Sequence, residues 1–139
     1  MVTRRILFQT VLKSGLGTLC AQLLPFAEAT AAEVHPILEQ SLPAIALNNW
    51  TATALEVDYP PGGASEPHRH PGFVLAYVLE GKLRSQLKGQ PEHTYASGEM
   101  FFEPPDSVHV ISANASTDRP AKLLALIFAE KGSTLSLPA

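Results

Sequence analysis

Three histidines have the spacing of a metal-binding site. His68 and His70 are separated by one residue, so on an extended backbone both side chains leave the same face of a strand. His109 closes a second segment, GEMFFEPPDSVH, further along the chain. Three neutral imidazole nitrogens are enough to hold a divalent transition metal ion while leaving positions open for water or a substrate. We therefore take His68, His70 and His109 as candidate metal ligands.

Short apolar segments, separated by glycine and proline, surround these histidines. Alternation or continuous apolar character predicts strands at residues 51–59, 73–79, 82–88, 93–95, 100–102, 108–113 and 121–129. The run from Phe73 to Leu79 is almost wholly apolar, as in a strand buried on both faces. Because no helical period accompanies these segments, the pattern indicates an all-β sandwich or barrel.

The two histidine-bearing segments resemble the two motifs of the cupin superfamily, G-x5-H-x-H-x(3,4)-E-x6-G and G-x5-P-x-G-x2-H-x3-N. Asp106 and Ala113 depart from the second motif. The resemblance covers residues 51–128 and implies a small single-domain bacterial cupin, a single antiparallel jelly-roll β-barrel with the metal at one mouth. The matching positions are Gly62, His68, His70 and Gly81 in the first motif, and Gly98, Pro104 and His109 in the second.

In this resemblance Val74 stands where the family has its glutamate ligand. Val74 would share the face of His68 and His70 if one strand ran unbroken through all three. Losing that carboxylate removes one oxygen ligand and one negative charge, which leaves a more electrophilic ion. The resemblance implies one divalent transition metal ion (Fe, Mn, Zn, Ni or Cu) and no organic cofactor. The alternative is that the histidines are hydrogen-bonded polar groups in a barrel that has lost its metal.

Further side chains near the same mouth are candidates for orienting the ligands, lining the pocket or transferring protons. Arg69 alternates away from the two flanking histidines, so we do not expect it to touch the metal. The sequence assigns no residue a catalytic role. The candidates for the pocket are Val74, Glu66, Tyr95, Glu103 and Phe102.

Residues 1–32 have the features of an export signal peptide. Arg4 and Arg5 begin it, residues 6–26 are largely apolar, and alanines at 27, 29 and 31 offer cleavage sites. The arginine pair favours the twin-arginine route, with an ordinary secretory signal or an uncleaved anchor as alternatives. The rest of the chain is predicted to comprise an N-terminal arm at 33–50, a barrel at 51–130 and a flexible tail at 131–139.

Composition limits the partners of the chain that would remain after cleavage. Its one cysteine, Cys20, lies in the signal peptide, so we expect neither a disulfide nor thiolate chemistry. The formal charge of −3 becomes −5 when three cations and one anion of residues 1–32 leave, which argues against nucleic acid. We expect a small-molecule ligand, a periplasmic or secreted location and no membrane contact after cleavage. The sequence leaves open whether the protein forms a homodimer.

The resemblance implies an exported metal-binding protein but leaves its activity open. One reading is an oxidoreductase of dioxygenase type acting on a small organic molecule, because three-histidine sites occur in cupin-like dioxygenases. The alternative is a binding or sensing module for a metal or small molecule, without turnover. A third is a structural barrel that dimerises and binds nothing.

The arginine pair gives a test of the export route. Replacing both Arg4 and Arg5 by lysine should leave precursor in the cytoplasm, because the twin-arginine pathway requires the guanidinium pair and not charge alone. Immunoblotting of cytoplasmic and periplasmic fractions measures this directly. Unchanged export of the double-lysine variant would favour the general secretory route instead.

Overall fold

A computed structural model describes residues 32–139, in which every regular element is a β-strand. Residues 34–139 form one compact unit, and the predicted export signal lies outside the described residues. No helix in the described part of the chain is long and apolar enough to cross a membrane. The strands are β1 (Trp50–Tyr59), β2 (His68–Arg69), β3 (Phe73–Glu80), β4 (Lys82–Leu87), β5 (His93–Ala96), β6 (Met100–Glu103), β7 (Val108–Asn114), β8 (Ala121–Glu130) and β9 (Leu137–Pro138).

Two antiparallel sheets share these strands. One has the order β1-β8-β3-β6 and the other the order β5-β4-β7-β2-β9. Neighbouring strands are mostly distant in sequence: β1 pairs with β8 along its whole length, from Trp50 opposite Glu130 to Tyr59 opposite Ala121. This confirms the predicted all-β, antiparallel jelly-roll fold, and it brings segments from both halves of the chain to one site.

The core lies between the sheets and follows from alternation along β8 and β3. Alternate residues of β8, from Ala121 to Ala129, are buried, and the residues between them are half-buried. In β3, Val74 and Val78 are buried, whereas Leu75 is half-buried and Leu79 is exposed. The prediction that this apolar run is fully buried on both faces is therefore wrong: only its inward face is fully buried.

The chain changes sheets between β2 and β3, so His68 and Val74 do not lie on one unbroken strand. The crossing depends on Gly72. A Cβ atom built there would lie 1.8 Å from the carbonyl oxygen of Phe128, a separation at which no side chain fits. Close approach of two backbones is a common reason for glycine in a β-structure. The strand parity assumed from His68 to Val74 thus fails, although Val74 still points inward.

The sequence predicts a flexible tail at residues 131–139. The structure instead gives part of this segment a defined place in the five-stranded sheet. Leu137 and Pro138 pair with Arg69 and His68 at the edge of the five-stranded sheet. Leu135 packs against the core. The apolar leucines and the free edge of β2 account for this docking, because both gain partners when the segment lies against the barrel.

The close approach at Gly72 predicts a large loss of stability on adding one methyl group. We expect Gly72→Ala to lower the free energy of unfolding by more than about 3 kcal/mol, because a backbone must move to relieve the overlap. Gly98→Ala is the control: nothing lies within 4 Å of its Cβ position, so its positive φ of 91° is the only source of strain. Urea denaturation of both variants measures the difference. Equal losses would contradict the packing described at Gly72.

Candidate metal centre

His68 and His109 meet across two paired strands. His68 in β2 lies directly opposite His109 in β7, so both side chains leave the same face of the sheet. Their ring centroids are 5.3 Å apart. His70, one residue beyond β2, brings its ring to 5.0 Å from that of His68 and nearly perpendicular to it. The structure thus brings together all three histidines that the sequence singled out.

Backbone carbonyl groups fix the orientation of two of these rings. His68 Nδ1 lies 2.8 Å from the carbonyl oxygen of Glu66, and His70 Nδ1 lies 2.6 Å from that of Leu135. A carbonyl oxygen only accepts hydrogen bonds, so in each ring Nδ1 carries a hydrogen, and the neutral form of the ring has its lone pair on Nε2. This arrangement is the usual one around a metal-binding histidine, whose second nitrogen donates to a carbonyl or carboxylate.

A carboxylate reaches the histidines from the other sheet. Glu103, the last residue of β6, is only 3 % exposed. Its Oε2 lies 3.2 Å from His109 Nδ1 and 3.9 Å from His70 Nε2. In the sheet, Glu103 is directly opposite Val74, the residue that replaces the family's glutamate. Side chains at directly opposed positions lie on the same face, so Glu103 places a carboxylate group on the same inward face as Val74.

Two buried atoms of this cluster have no hydrogen-bond partner. Among the described residues, the buried side-chain nitrogen and oxygen atoms left without one are Glu103 Oε2 and His109 Nδ1. They face each other without forming a hydrogen bond. An uncompensated carboxylate oxygen is costly to bury, and so is an unpaired ring nitrogen. A divalent cation between them would satisfy both atoms, so the residues fit a metal ion.

The group of ligand atoms differs from the predicted one. One ligand atom each from His68, His70 and Glu103 lie within 4.8 Å of one another. His109 lies at the margin of this group: its Nε2 is hydrogen-bonded to Ser85 Oγ at 2.9 Å, and its Nδ1 faces Glu103. The set of three histidines therefore stays a prediction, and the geometry adds the carboxylate of Glu103 to it.

The surroundings favour the neutral form of His68. Burial lowers the pKa of His68, and the neighbouring rings of His109 and His70 lower it further, while the Glu66 carbonyl and the Glu103 carboxylate act in the opposite direction. The net effect on the pKa is downward, so the ring is uncharged at neutral pH. A neutral imidazole is the form that binds metal ions.

A cavity of about 180 Å³ opens beside the cluster. Its polar end consists of the histidines and Glu103, and Tyr59 and Ser112 add hydroxyl groups. Sequence analysis did not single out these two residues, because only the pairing of distant strands places them here. The remaining walls are almost entirely aliphatic: Leu55, Val57, Leu123, Ala125, Ile127 and Leu135, with Ser136 beside them.

The other predicted pocket residues lie outside this cavity. Glu66 is exposed and contributes only its backbone carbonyl, to His68. Tyr95 packs against Phe101, with ring centroids 4.7 Å apart; burial raises its pKa, and the charge of Glu99 adds to this. Phe102 contacts Phe73 and does not line the cavity. Of the five candidates, only Glu103 therefore joins the site.

Arg69 points away from the metal cluster, as its alternation with the histidines predicts. Its guanidinium group forms an ion pair with Asp106 Oδ1 at 2.7 Å, and both side chains are substantially exposed. Such surface pairs contribute little stability. Neither residue therefore takes part in the site.

A comparison with protein families identifies the fold independently. The Cupin_2 model, described as a cupin domain, matches residues 55–127, which is more than half of the chain. The chain belongs to the cupin family. No curated protein matches it significantly.

Solved structures of other proteins share the fold at low sequence identity. The DMSP lyase DddQ from Ruegeria pomeroyi DSS-3 is 19% identical, with a TM-score of 0.55, over 70% of this chain and 55% of that one. A cupin-like protein from Thermotoga maritima is 24% identical, with a TM-score of 0.51, over 63% and 64% of the two chains. The oxalate decarboxylase OxdC of Bacillus subtilis is 20% identical, with a TM-score of 0.53, over 63% and 23%. This cupin thus spans about half the length of the lyase.

The geometry predicts which histidines matter for metal binding. His68→Ala and His70→Ala should each lower the affinity for Zn²⁺ by more than about 100-fold, because each removes a metal ligand. Loss of a residue that only orients a ligand typically costs about 10- to 100-fold. His93→Ala is the matched control, because His93 is exposed and its ring contacts Tyr95 away from the site. Competition titration with a chelator of known affinity measures all three variants. A loss of the same size in His93→Ala, or none in the other two, would contradict the assignment.

Proposed function

We propose that this cupin binds one divalent transition metal ion through His68, His70 and Glu103, with Nδ1 of His109 completing the set. The pair of buried atoms without hydrogen bonds, Glu103 Oε2 and His109 Nδ1, carries the proposal. If the metal site had been lost, these atoms would be expected to have gained partners. The position of Glu103 directly opposite Val74, on the neighbouring strand of the same sheet, would also explain how the usual glutamate of the cupin motif is dispensable at Val74.

We further propose that the cavity holds a small organic molecule with one polar end. Its volume of about 180 Å³ is below the range of about 300–1,000 Å³ that is usual for drug-sized ligands. The aliphatic walls exclude water and favour an apolar body, and a polar group of the ligand would face the metal. A bound ion would polarise the polar group of the ligand. A redox-active ion would also exchange electrons with the ligand.

Tyr59 is the residue best placed to hold a second polar atom of the ligand. Its side chain is buried, and its hydroxyl group is hydrogen-bonded to Ser112 Oγ at 2.8 Å and to Ser65 Oγ at 3.1 Å. These contacts fix the ring and leave three hydroxyl groups able to exchange donor and acceptor roles. In our proposal, Tyr59 and Ser112 orient the ligand and relay a proton to it or from it.

An oxidoreductase of dioxygenase type is the activity that we propose to test first. Apart from Glu103 and the histidines, the residues lining the cavity are uncharged, so any reaction would depend on the ion and on the hydroxyl groups. The uncharged lining equally favours a module that binds without turnover. Oxygen consumption by the metal-loaded protein across a panel of small phenols, diketones and thiols separates the two. Ligand binding without oxygen uptake or product would favour the binding module.

Export remains part of the proposal. We propose that the protein acts in the periplasm or is secreted, because residues 1–32 have a basic start, an apolar run and alanine cleavage sites. The location matters for the ion, since metal supply differs inside and outside the cytoplasm. Metal analysis of protein purified from both compartments without chelators would identify the ion that the site selects.

The paired positions of Val74 and Glu103 allow a swap experiment. Glu103→Val should lower Zn²⁺ affinity by more than about 100-fold, because a ligand is lost and not only a group that orients one. Adding Val74→Glu should restore much of that affinity, since the carboxylate returns to the same inward face from the directly opposed position. Val74→Glu alone should weaken folding, because it buries a second carboxylate beside Glu103.

The double variant has the same amino-acid composition as the wild type. A difference in affinity between the two proteins therefore cannot come from net charge or total side-chain volume. Isothermal titration with Zn²⁺ measures affinity, and urea denaturation measures stability. Wild-type affinity in Glu103→Val would show that Glu103 is no ligand and would overturn the proposed set. Failure of the wild type to bind any of the five candidate metals would overturn the proposed function as a whole.

A further inference from the structure

The C-terminal segment, residues 133–139, lies against the metal centre. In β9, Pro138 is directly opposite His68, and Leu137 is opposite Arg69. The backbone nitrogen of Ala139 donates a hydrogen bond to the carbonyl oxygen of Pro67 at 3.2 Å. Residues 137–139 are therefore paired with the segment that carries His68, the first candidate ligand.

This segment also supplies the hydrogen-bond partner of His70. The Leu135 carbonyl oxygen lies 2.6 Å from His70 Nδ1, across 65 residues of sequence. Because the carbonyl group can only accept, it holds the hydrogen on Nδ1 and directs the Nε2 lone pair towards Glu103, 3.9 Å away. Without this contact, the ring would be free to rotate or to adopt the other tautomer.

The same residues separate the cavity from the surface. Leu135 and Ser136 line the inner cavity beside the metal cluster. Ser136 and His68 also line an outer depression of about 340 Å³, together with Glu66, Pro67, Leu137 and Pro138. The wall between ligand cavity and surface is thus one backbone thick at Ser136.

We propose that residues 133–139 form a positioning segment of the metal site, which sets the tautomer and orientation of His70 through the Leu135 carbonyl group. The inference rests on the proposed function, because it assigns His70 Nε2 to the metal. It extends that function by making metal affinity depend on residues 133–139, which lie far from His70 in sequence. The side chain of Leu135 is a wall of the cavity, whereas its carbonyl group is the positioning group.

Three variants separate these contributions, with Zn²⁺ as the probe. Truncation after Gly132 removes the whole segment and should lower Zn²⁺ affinity by about 10- to 100-fold, the range typical of lost ligand-orienting contacts. Truncation after Leu137 keeps Leu135 and should leave the affinity nearly unchanged. His93→Ala is the control and should retain the affinity, because His93 is exposed and its ring contacts Tyr95 away from the site. Isothermal titration measures each, with near-ultraviolet circular dichroism as the check on folding.

A spectroscopic measurement on the wild type makes the test independent of folding in the variants. Imidazole ¹⁵N shifts of His70 in the metal-free protein should show a protonated Nδ1 and an unprotonated Nε2. The opposite tautomer in the wild type, or equal Zn²⁺ affinity in a folded variant truncated after Gly132, would overturn the inference. A wild type that binds none of the five candidate metals but shows the expected tautomer would overturn the proposed metal site and leave the contact between Leu135 and His70 supported.

Discussion

The candidate metal centre depends on the burial of one carboxylate group, that of Glu103. Glu103 lies between two sheets, almost without solvent, and its Oε2 has three imidazole rings nearby but no hydrogen bond. A buried negative charge must be neutralised by a proton, paired with a cation or bound to a metal, because the interior cannot replace its hydration. The histidine nitrogens that surround Glu103 can bind a metal ion together with its carboxylate group. This requirement explains why the polar groups of both sheets converge at one point.

The jelly-roll supplies that convergence through pairings between distant segments. Opposition of β2 and β7 sets His68 against His109, and opposition of β3 and β6 sets Val74 against Glu103. His68 and His109 belong to one sheet and Glu103 to the other. Ligands from the two sheets can therefore enclose an ion from two sides. In our proposal the carboxylate ligand comes from Glu103 in β6 and not from position 74 in β3. The two positions are directly opposed, so a carboxylate at either one lies on the inward face.

The strand positions and the histidines follow from local patterns, whereas the site as a whole does not. Glycine and proline punctuation predicts most strands to within one or two residues, and the i, i+2 spacing of His68 and His70 indicates their common role. The role of Glu103 depends on its register with Val74, and that register arises from contacts between remote segments. The crossing at Gly72 depends on the backbone of Phe128, which no local pattern reveals. The docking of Leu135 beside His70 is equally non-local, so the short segment that follows Gly132 is predicted to be a flexible tail when its distant partners are not considered.

The most direct test of the proposed centre is anomalous diffraction from crystals of the metal-loaded protein, collected on both sides of the absorption edge of the bound ion. Our account predicts a single strong anomalous peak within bonding distance of His68 Nε2, His70 Nε2, His109 Nδ1 and a carboxylate oxygen of Glu103. A peak bound by the histidines with Glu103 turned away would contradict the role of the cross-sheet carboxylate. Absence of any peak at this cluster, in crystals that contain stoichiometric metal elsewhere, would contradict the metal centre itself.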